Sequence, residues 1–503
     1  MELNWEKILS VETESTRSKM RSNDSRSPFD SDYSRITFSA PFRRLQDKTQ
    51  VFPLEQNDFV RTRLTHSIEV ASLARSLGKS ISSELNKKNG YGWKEKFSYD
   101  LPVILECAGL VHDIGNPPFG HSSEKAIQKW FSAHKVRLIK EFFNKNADKW
   151  SLSKIDNKIK HSKRVQDFLN FDGNVQGFRI LTHLQCIYDY QGYHLTSALL
   201  STIMKYPVDS LIGNKDVENN KTDHKFKKFG YFDSESDIAE FTLKNCGLID
   251  EKKEHYRSPL TIILEAADDI AYSAADIEDG FKKGLFTLDS LLDILKKNRE
   301  DACVQEVLCR FCKKENIIKL EERKIQWLRI CIHQVYCDTV VKEFIDNYDL
   351  IMTGRFSCEL LKFRSLKCLR ELLENFSYNK LINNQEVSKL EIAGKNVISF
   401  LLDEFTNDLI VYGIDSIKTL GRNIEIEECK NSLEKTKTWN LISEDFKDIY
   451  WNTVRKKSLN STSILKTDII YYTYLLITDF ISGMTDHYCI RLYRRLQGID
   501  FHN

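Results

Sequence analysis

Apolar residues recur at helical spacing along most of this chain, and clean period-two alternation is rare. From Phe38 to about Lys129 the pattern is dense, with Leu64, Ile68, Ala71 and Leu77 following the 3.6-residue period. The segment "LPVILECAGLVHDIG" is apolar almost all round, which predicts a buried helix. Residues 135–163 are charged and weakly patterned and predict exposed helix and loop. "NFDGNVQGFRIL" opens another helical block that runs to Lys205. The polar excursion "VDSLIGNKDVENNKTDHKFKKFGYFDSESD" predicts a long loop with a short hairpin. "SPLTIILEAADDIAYSAADIEDGFKKG" predicts a second buried helix, with Pro259 near its start and Gly284 near its end. Amphipathic helices continue to Asn503 without an internal repeat. Only 8 prolines and 20 glycines interrupt the chain, so an all-α fold is expected.

Composition narrows this picture. The 503 residues are 41% apolar, enough for a substantial core. Lys and Arg number 74 against 72 Asp and Glu, so no global charge drives the chain onto nucleic acid or acidic membranes. The N-terminal sequence has no basic segment followed by an apolar run, and no stretch reaches a membrane span; "ILKTDIIYYTYLLITDFISGMTD" is broken by Lys466, Asp468 and Asp479. A cytoplasmic protein with no membrane partner is expected. The 12 scattered cysteines fit reduced, mostly buried thiols, and the cluster Cys303, Cys309, Cys312, Cys331, His333 and Cys337 reads as helix packing in preference to a zinc site.

Three stretches carry candidate chemistry. "LVHDIGNPPFGHSSE" places His112-Asp113 at the end of the buried segment, then His121 and Glu124 after a Gly-Asn-Pro-Pro break. A carboxylate set among apolar residues is costly unless paired or bound to a cation. His121 and Glu124 are i and i+3, so they can touch on a helical turn; they also fit an ordinary helix start. "RTRLTHSIEVASLARSLG" carries His66 on a helix packing through Leu64, Ile68 and Ala71, where a core histidine is the plain alternative. "ILEAADDIAYSAADIEDGF" sets Asp268, Tyr272, Asp276 and Asp279 on adjoining turns of an otherwise apolar helix, where a surface acidic stripe is the alternative. Two imidazoles with two carboxylates suit Mn, Fe or Zn and, less well, Mg.

Further stretches occur in order between Arg35 and Tyr488: "FSAPFRRLQDKTQVFPLEQNDFVRTRLTHSIEVA", "CAGLVHDIGNPPFGHSSEKAI", "FDGNVQGFRILT", "KYP", "KFGYFDSE", "EAADDIAYSAADIEDG" and "DFISGMTDHY". This series resembles the deoxyguanosinetriphosphate triphosphohydrolases of the HD-domain phosphohydrolase superfamily. The resemblance implies a helical HD core with helical elaborations and long loops. It implies that His66, His112, Asp113 and Asp268 hold a divalent metal (Mn, Mg, Fe or Zn), and that His121 and Glu124 are the catalytic pair. Gln50, Tyr272 and Asp276 match residues that read the deoxyribose; Arg63, Asn174, Lys205, Tyr206 and Lys228 match residues around the phosphates. The implied reaction is attack of water on the α-phosphorus of dGTP or another dNTP, releasing deoxynucleoside and triphosphate. The resemblance also implies a homo-oligomer, hexamer or tetramer, and a single-stranded DNA or nucleotide effector.

On this reading residues 1–34 form a polar N-terminal arm, mobile or draped over a partner subunit. Residues 35–290 form the catalytic core with insertions near 130–165 and 208–255, and 291–503 pack on it. One departure stands out: "NFDGN" places Asn170 where related enzymes carry His, and Asp172 where they carry Glu, with His161 and His183 nearby in sequence. Two other readings stay open. One keeps the metal site but assigns a broader dNTP range or another phosphoester, such as a cyclic or alarmone nucleotide. The other is a weakly active binding protein regulated by DNA or nucleotide, using "HKFKKFGYF" or "CIRLYRRLQG".

Overall fold

Two apolar cores interleave along the chain in this computed structural model, and the sequence crosses from one to the other at the Gly-Asn-Pro-Pro break. The structure describes residues 2–14, 25–50, 54, 60–88, 92–143, 150–185, 192–213, 223–382, 385–417, 423–459 and 461–500, with the side chains of 152, 274–276, 364, 381–382 and 385–387 left aside. The expected all-α class holds. The described strands are β1 (Asn423–Glu425) and β2 (Ser463–Leu465), a short antiparallel pair that the sequence pattern did not announce.

The first core is built on α1 (Trp5–Ile8), α2 (Pro28–Thr37), α3 (Ala40–Arg44), α4 (Arg63–Lys87) and α5 (Phe97–Val111). The second begins with α6 (His121–Ala133), α7 (Lys135–Phe142), α8 (Leu152–Lys160) and α9 (Lys163–Leu169). Helix α10 (Gly173–Arg179) joins them, burying Val175 in the second core and Phe178 in the first. The first core resumes with α11 (Ser197–Ile203), α12 (Ser236–Asn245), α13 (Pro259–Lys282), α14 (Leu288–Lys297), α15 (Ala302–Glu315), α16 (Glu321–Asp346), α17 (Tyr348–Met352) and α18 (Arg364–Ser377). The second closes with α19 (Gln385–Thr406), α20 (Ile426–Leu433), α21 (Glu444–Lys457), α22 (Lys466–Ser482) and α23 (Asp486–Leu496). The boundary expected near 290 therefore does not separate the cores: α14 to α18 share the apolar cluster of α4, α5 and α13.

Local rules explain the long helices. Pro259 and Ser258 start α13, the serine capping Leu260 N–H, and Gly284 follows its end at φ +69°. Thr62 caps α4 in a reciprocal box with Thr65. Helix α22 is buried along nearly its whole length, and the charges that break its apolar run are paired: Lys466 with Asp415, Asp468 with Arg164, and Asp479 with Arg179 at 2.8 Å. Arg179 also grips Glu235 at 2.5 Å, so a buried guanidinium ties α10 to α22.

Several expectations need correction. The described parts of residues 1–34 are not a free arm. Trp5 is 1% exposed and its indole donates to Tyr348 Oη at 2.7 Å, while α2 packs on α5. Leu3, Trp5, Ile8 and Leu9 supply the apolar contacts that the Ser/Arg-rich sequence after them obscured. Ile68 does not pack in α4; it is 51% exposed, and Val70, Ala71, Ala74 and Leu77 form the buried face. Within residues 135–163, α7 and α8 are amphipathic and bury Leu138, Ile139, Ile155 and Ile159. The hairpin expected after Val208 falls partly on 214–222, outside the described residues; the ends of the excursion meet through Gly230 N–H and Val208 O at 2.9 Å. Cys331 lies in the first core, whereas Cys309 and Cys312 are exposed on α15 and do not pack.

The crossing of α4 and α5 matters most for the site. A Cβ on Gly109 would come within 2.5 Å of Ala71 Cα, so the two backbones touch where only glycine fits. This contact lies one turn from His112 and fixes its distance from α4. Gly109→Ala is expected to force the helices apart and to lower stability by roughly 1–3 kcal/mol, as for other overpacked cores, read by denaturant unfolding. An unchanged midpoint would show that the crossing relaxes freely.

Candidate active site

Helices α4, α5 and α13 bring His66, His112 and Asp268 together. One ligand atom from each lies within 4.8 Å of the others. His66 Nε2 is 3.1 Å from Asp268 Oδ1, and His112 Nε2 is 3.4 Å from the same oxygen. His112 Nδ1 lies 2.8 Å from the carbonyl of Gly109; with Nδ1–H donating there, Nε2 is left as the ligand nitrogen facing the carboxylates. His112 Nε2 is buried and makes no well-angled hydrogen bond among the described residues. Burial pulls His112 down, but Asp113 and Asp268 outweigh it and raise it to about 9. The carboxylates thus draw positive charge to this point, and two imidazoles beside a carboxylate suit a divalent transition ion.

Asp113 stands beside this cluster, with Oδ1 3.6 Å from His112 Nε2. Its oxygens are already engaged: Arg63 Nη1 donates to Oδ2 at 2.5 Å and Asn116 Nδ2 donates to Oδ1 at 2.5 Å. Burial alone would raise the Asp113 pKa, but Arg63 and then His112 hold it down at about 2. Asn116 therefore does more than shape the bend, since its amide orients a carboxylate of the site. Beyond it the chain passes close to α10: a Cβ on Gly115 would lie 2.0 Å from Gly177 N.

After the break, His121 starts α6 and its Nδ1 lies 2.7 Å from Glu124 Oε2. The imidazole is exposed while the carboxylate is buried, its other oxygen accepting the Gly173 N–H at 2.8 Å. The hydrogen bond to Glu124, and then its charge, raise the His121 pKa, so imidazolium persists to higher pH than in a free histidine.

An open cleft of about 480 Å³ exposes these groups. Its walls include Gln50, Arg63, Asp113, His121, Asp268 and Tyr272, all six picked out from sequence. Gln50 Oε1 is buried there without a hydrogen-bond partner among the described residues. Asp276 lies on the same helix as Tyr272, but its side chain is outside the described residues. Asp279, read from sequence on the face of Asp268, turns elsewhere and joins Glu278 and Glu69 around Arg61.

The expected phosphate residues other than Arg63 form an adjoining polar group and do not line the cleft. Asn174 and Lys228 both bond Asp172, which caps α10. Lys205 is 3.5 Å from Glu265, and the buried Tyr206 ring packs 5.6 Å from His224. Asn170 folds back on Gln166 at 2.7 Å. Neither nearby histidine takes its place, because His161 bonds the Asn157 carbonyl and His183 bonds Thr453.

Sequence reasoning missed Thr49, Phe119, Lys125, Asp269 and Glu391 on the cleft wall. Lys125 adjoins Glu124 and Asp269 adjoins Asp268, so proximity was a usable signal. Glu391 arrives from α19, more than a hundred residues away, with no local signal.

Helices that converge on paired histidines and a distant aspartate define an HD-domain protein, and a family model described as HD domain matches residues 63–167. Similarity extends far beyond that segment. A deoxyguanosinetriphosphate triphosphohydrolase-like protein of Listeria monocytogenes is 36% identical over 506 residues, covering 99% of this chain and all of the relative. One of Synechocystis sp. is 31% identical over 500 residues with the same coverage. A deoxyguanosinetriphosphate triphosphohydrolase of Salmonella arizonae is 32% identical over 496 residues, 94% of each chain. The chain belongs to the deoxyguanosinetriphosphate triphosphohydrolase family of HD-domain phosphohydrolases.

The His121–Glu124 pair gives a direct pH test. In histidine NMR the His121 midpoint should lie above the ordinary value of about 6.5, and Glu124→Gln should move it down while keeping an oxygen for Gly173 N–H. A midpoint unaffected by the substitution would show that Glu124 does not tune the imidazole.

Proposed function

We propose that the chain is a divalent-metal-dependent dNTP triphosphohydrolase that favours dGTP, converting dGTP and water to deoxyguanosine and triphosphate. Water adds to the α-phosphorus and the bond from that phosphorus to the 5′-oxygen breaks. The observation that carries this reading is the meeting, in one cleft, of the His66–His112–Asp268 cluster with the His121–Glu124 pair. Full-length similarity to proteins named for this reaction supports it.

His66, His112, Asp113 and Asp268 would hold the cation, whose chemistry is to neutralise α-phosphoryl charge and lower the pKa of bound water. The residues of the chain do the rest. Arg63 holds Asp113 in place and brings a guanidinium to the cleft wall, suited to an α-phosphate oxygen. His121, whose protonated form Glu124 favours, would carry a proton suited to the departing 5′-oxygen. Gln50 offers an unused buried acceptor for a sugar hydroxyl, and Tyr272 presents a ring that would crowd a 2′-hydroxyl. Asn174, Lys205, Tyr206 and Lys228 would receive the outer phosphates. For all four this requires exchanging present contacts with Asp172, Glu265 and His224 for substrate.

The same reading places the protein in the cytoplasm as a homo-oligomer. No described helix is long and apolar enough to cross a membrane.

Incubation with each dNTP and with GTP, in the presence of Mn²⁺ or Mg²⁺, tests the reading through product identity. Inorganic triphosphate and deoxynucleoside should appear together, fastest from dGTP and not from GTP. Pyrophosphate or single phosphate as the first product would contradict attack at the α-phosphorus. Equal rates on all dNTPs would leave the reaction and remove the dGTP preference.

A further inference from the structure

The rim of the cleft is anchored from the far end of the chain, by the segment "DFISGMTDHY". Asp486 opens α23 and is 2% exposed. Its Oδ1 accepts the Phe119 backbone N–H at 3.0 Å. Its Oδ2 accepts the Thr49 backbone N–H at 3.0 Å and the Thr49 hydroxyl. Lys48, 3% exposed, donates from Nζ to the Asn116 carbonyl at 2.6 Å and to the Ser482 carbonyl at 2.8 Å. The α22–α23 turn thus grips two segments remote from it and from each other in sequence.

Both gripped segments lead straight into the proposed chemistry. Thr49 precedes Gln50. Phe119 lies two residues before His121 and has φ +61°, a left-handed backbone that a bulky residue adopts only when its surroundings impose it. The hydrogen bond from its N–H to Asp486 is one such constraint. A buried carboxylate is expensive, and an apolar residue would fill the same space at less cost. What the carboxylate adds is direction: three donors from two segments must point at one group.

We propose that Asp486, with Lys48 beside it, is a positioning residue for the hydrolytic reaction, fixing the Gln50 wall of the cleft relative to the His121–Glu124 rim. It acts through Thr49 and Phe119. This rests on the assignment of His121 as proton donor given under the proposed function.

Asp486→Asn keeps the shape but turns one acceptor oxygen into a donor facing an N–H. The variant should melt within a few degrees of the parent. Its kcat should fall roughly 10- to 100-fold, the scale of a small misplacement of reacting groups, with KM changed much less. In a His121→Ala background the same substitution should cause a clearly smaller further loss, because the part that acts through His121 is already gone. Backbone hydrogen exchange should quicken at 47–50 and 119–121 while α13 is unchanged. An equal fold-loss in both backgrounds, or unaltered exchange at 119–121, would overturn the proposal and leave Asp486 a general fold determinant. Should the parent protein hydrolyse no dNTP, the proposed function falls, while the exchange experiment still decides whether Asp486 anchors the turn.

Discussion

Negative charge held against apolar helices is the constraint on which the rest of this structure depends. Asp113 and Asp268 stand at the end of α5 and on α13, both helices belonging to a hydrocarbon core. Left alone, carboxylates in such a place would protonate or unfold their surroundings. Here Arg63, two histidines and the Asn116 amide converge on them. On the proposed function, a cation set among them would offset the charge that remains.

The two cores supply different parts of the candidate site. The helices that carry the proposed metal ligands come from the first core, where Gly109 and Ala71 let α4 and α5 touch. The His121–Glu124 pair, proposed to handle the proton, comes from the second core on α6. Nine residues, from His112 to Gly120, connect them. Such a short linkage transmits any shift of one core to the other, so its geometry is pinned repeatedly. Lys48 holds Asn116, Asp486 holds Phe119, and Gly115 lies against α10. Arg179, between Asp479 and Glu235, locks α10 to α22 on the far side.

The fold was legible where one periodicity ran long, as in α5, α13 and the C-terminal helices. It was illegible where burial depended on partners distant in sequence. Trp5 looked like part of a polar arm because its partner, Tyr348, is more than three hundred residues away. Ile68 kept the helical period yet faces solvent, since a period sets a face and not its neighbour. The same division holds for the site. His112-Asp113 and His121–Glu124 were readable because each pair is local, and Asp268 because an acid in an apolar helix is conspicuous. That these groups belong to one site was implied by the resemblance of the motif series and not by any one stretch, whereas the entry of Glu391 and the return of Asp486 to Phe119 required tertiary structure.

On the proposed function His66, His112 and Asp268, with Asp113 beside them, form a cation site built by the fold. Equilibrium dialysis of the purified chain against Mn²⁺, with bound metal counted by elemental analysis, tests it without recourse to turnover. About one tightly bound ion per chain is expected, lost in His112→Ala and in Asp268→Ala although both variants remain helical and cooperatively folded. Retention of the full complement of metal by either folded variant would contradict it.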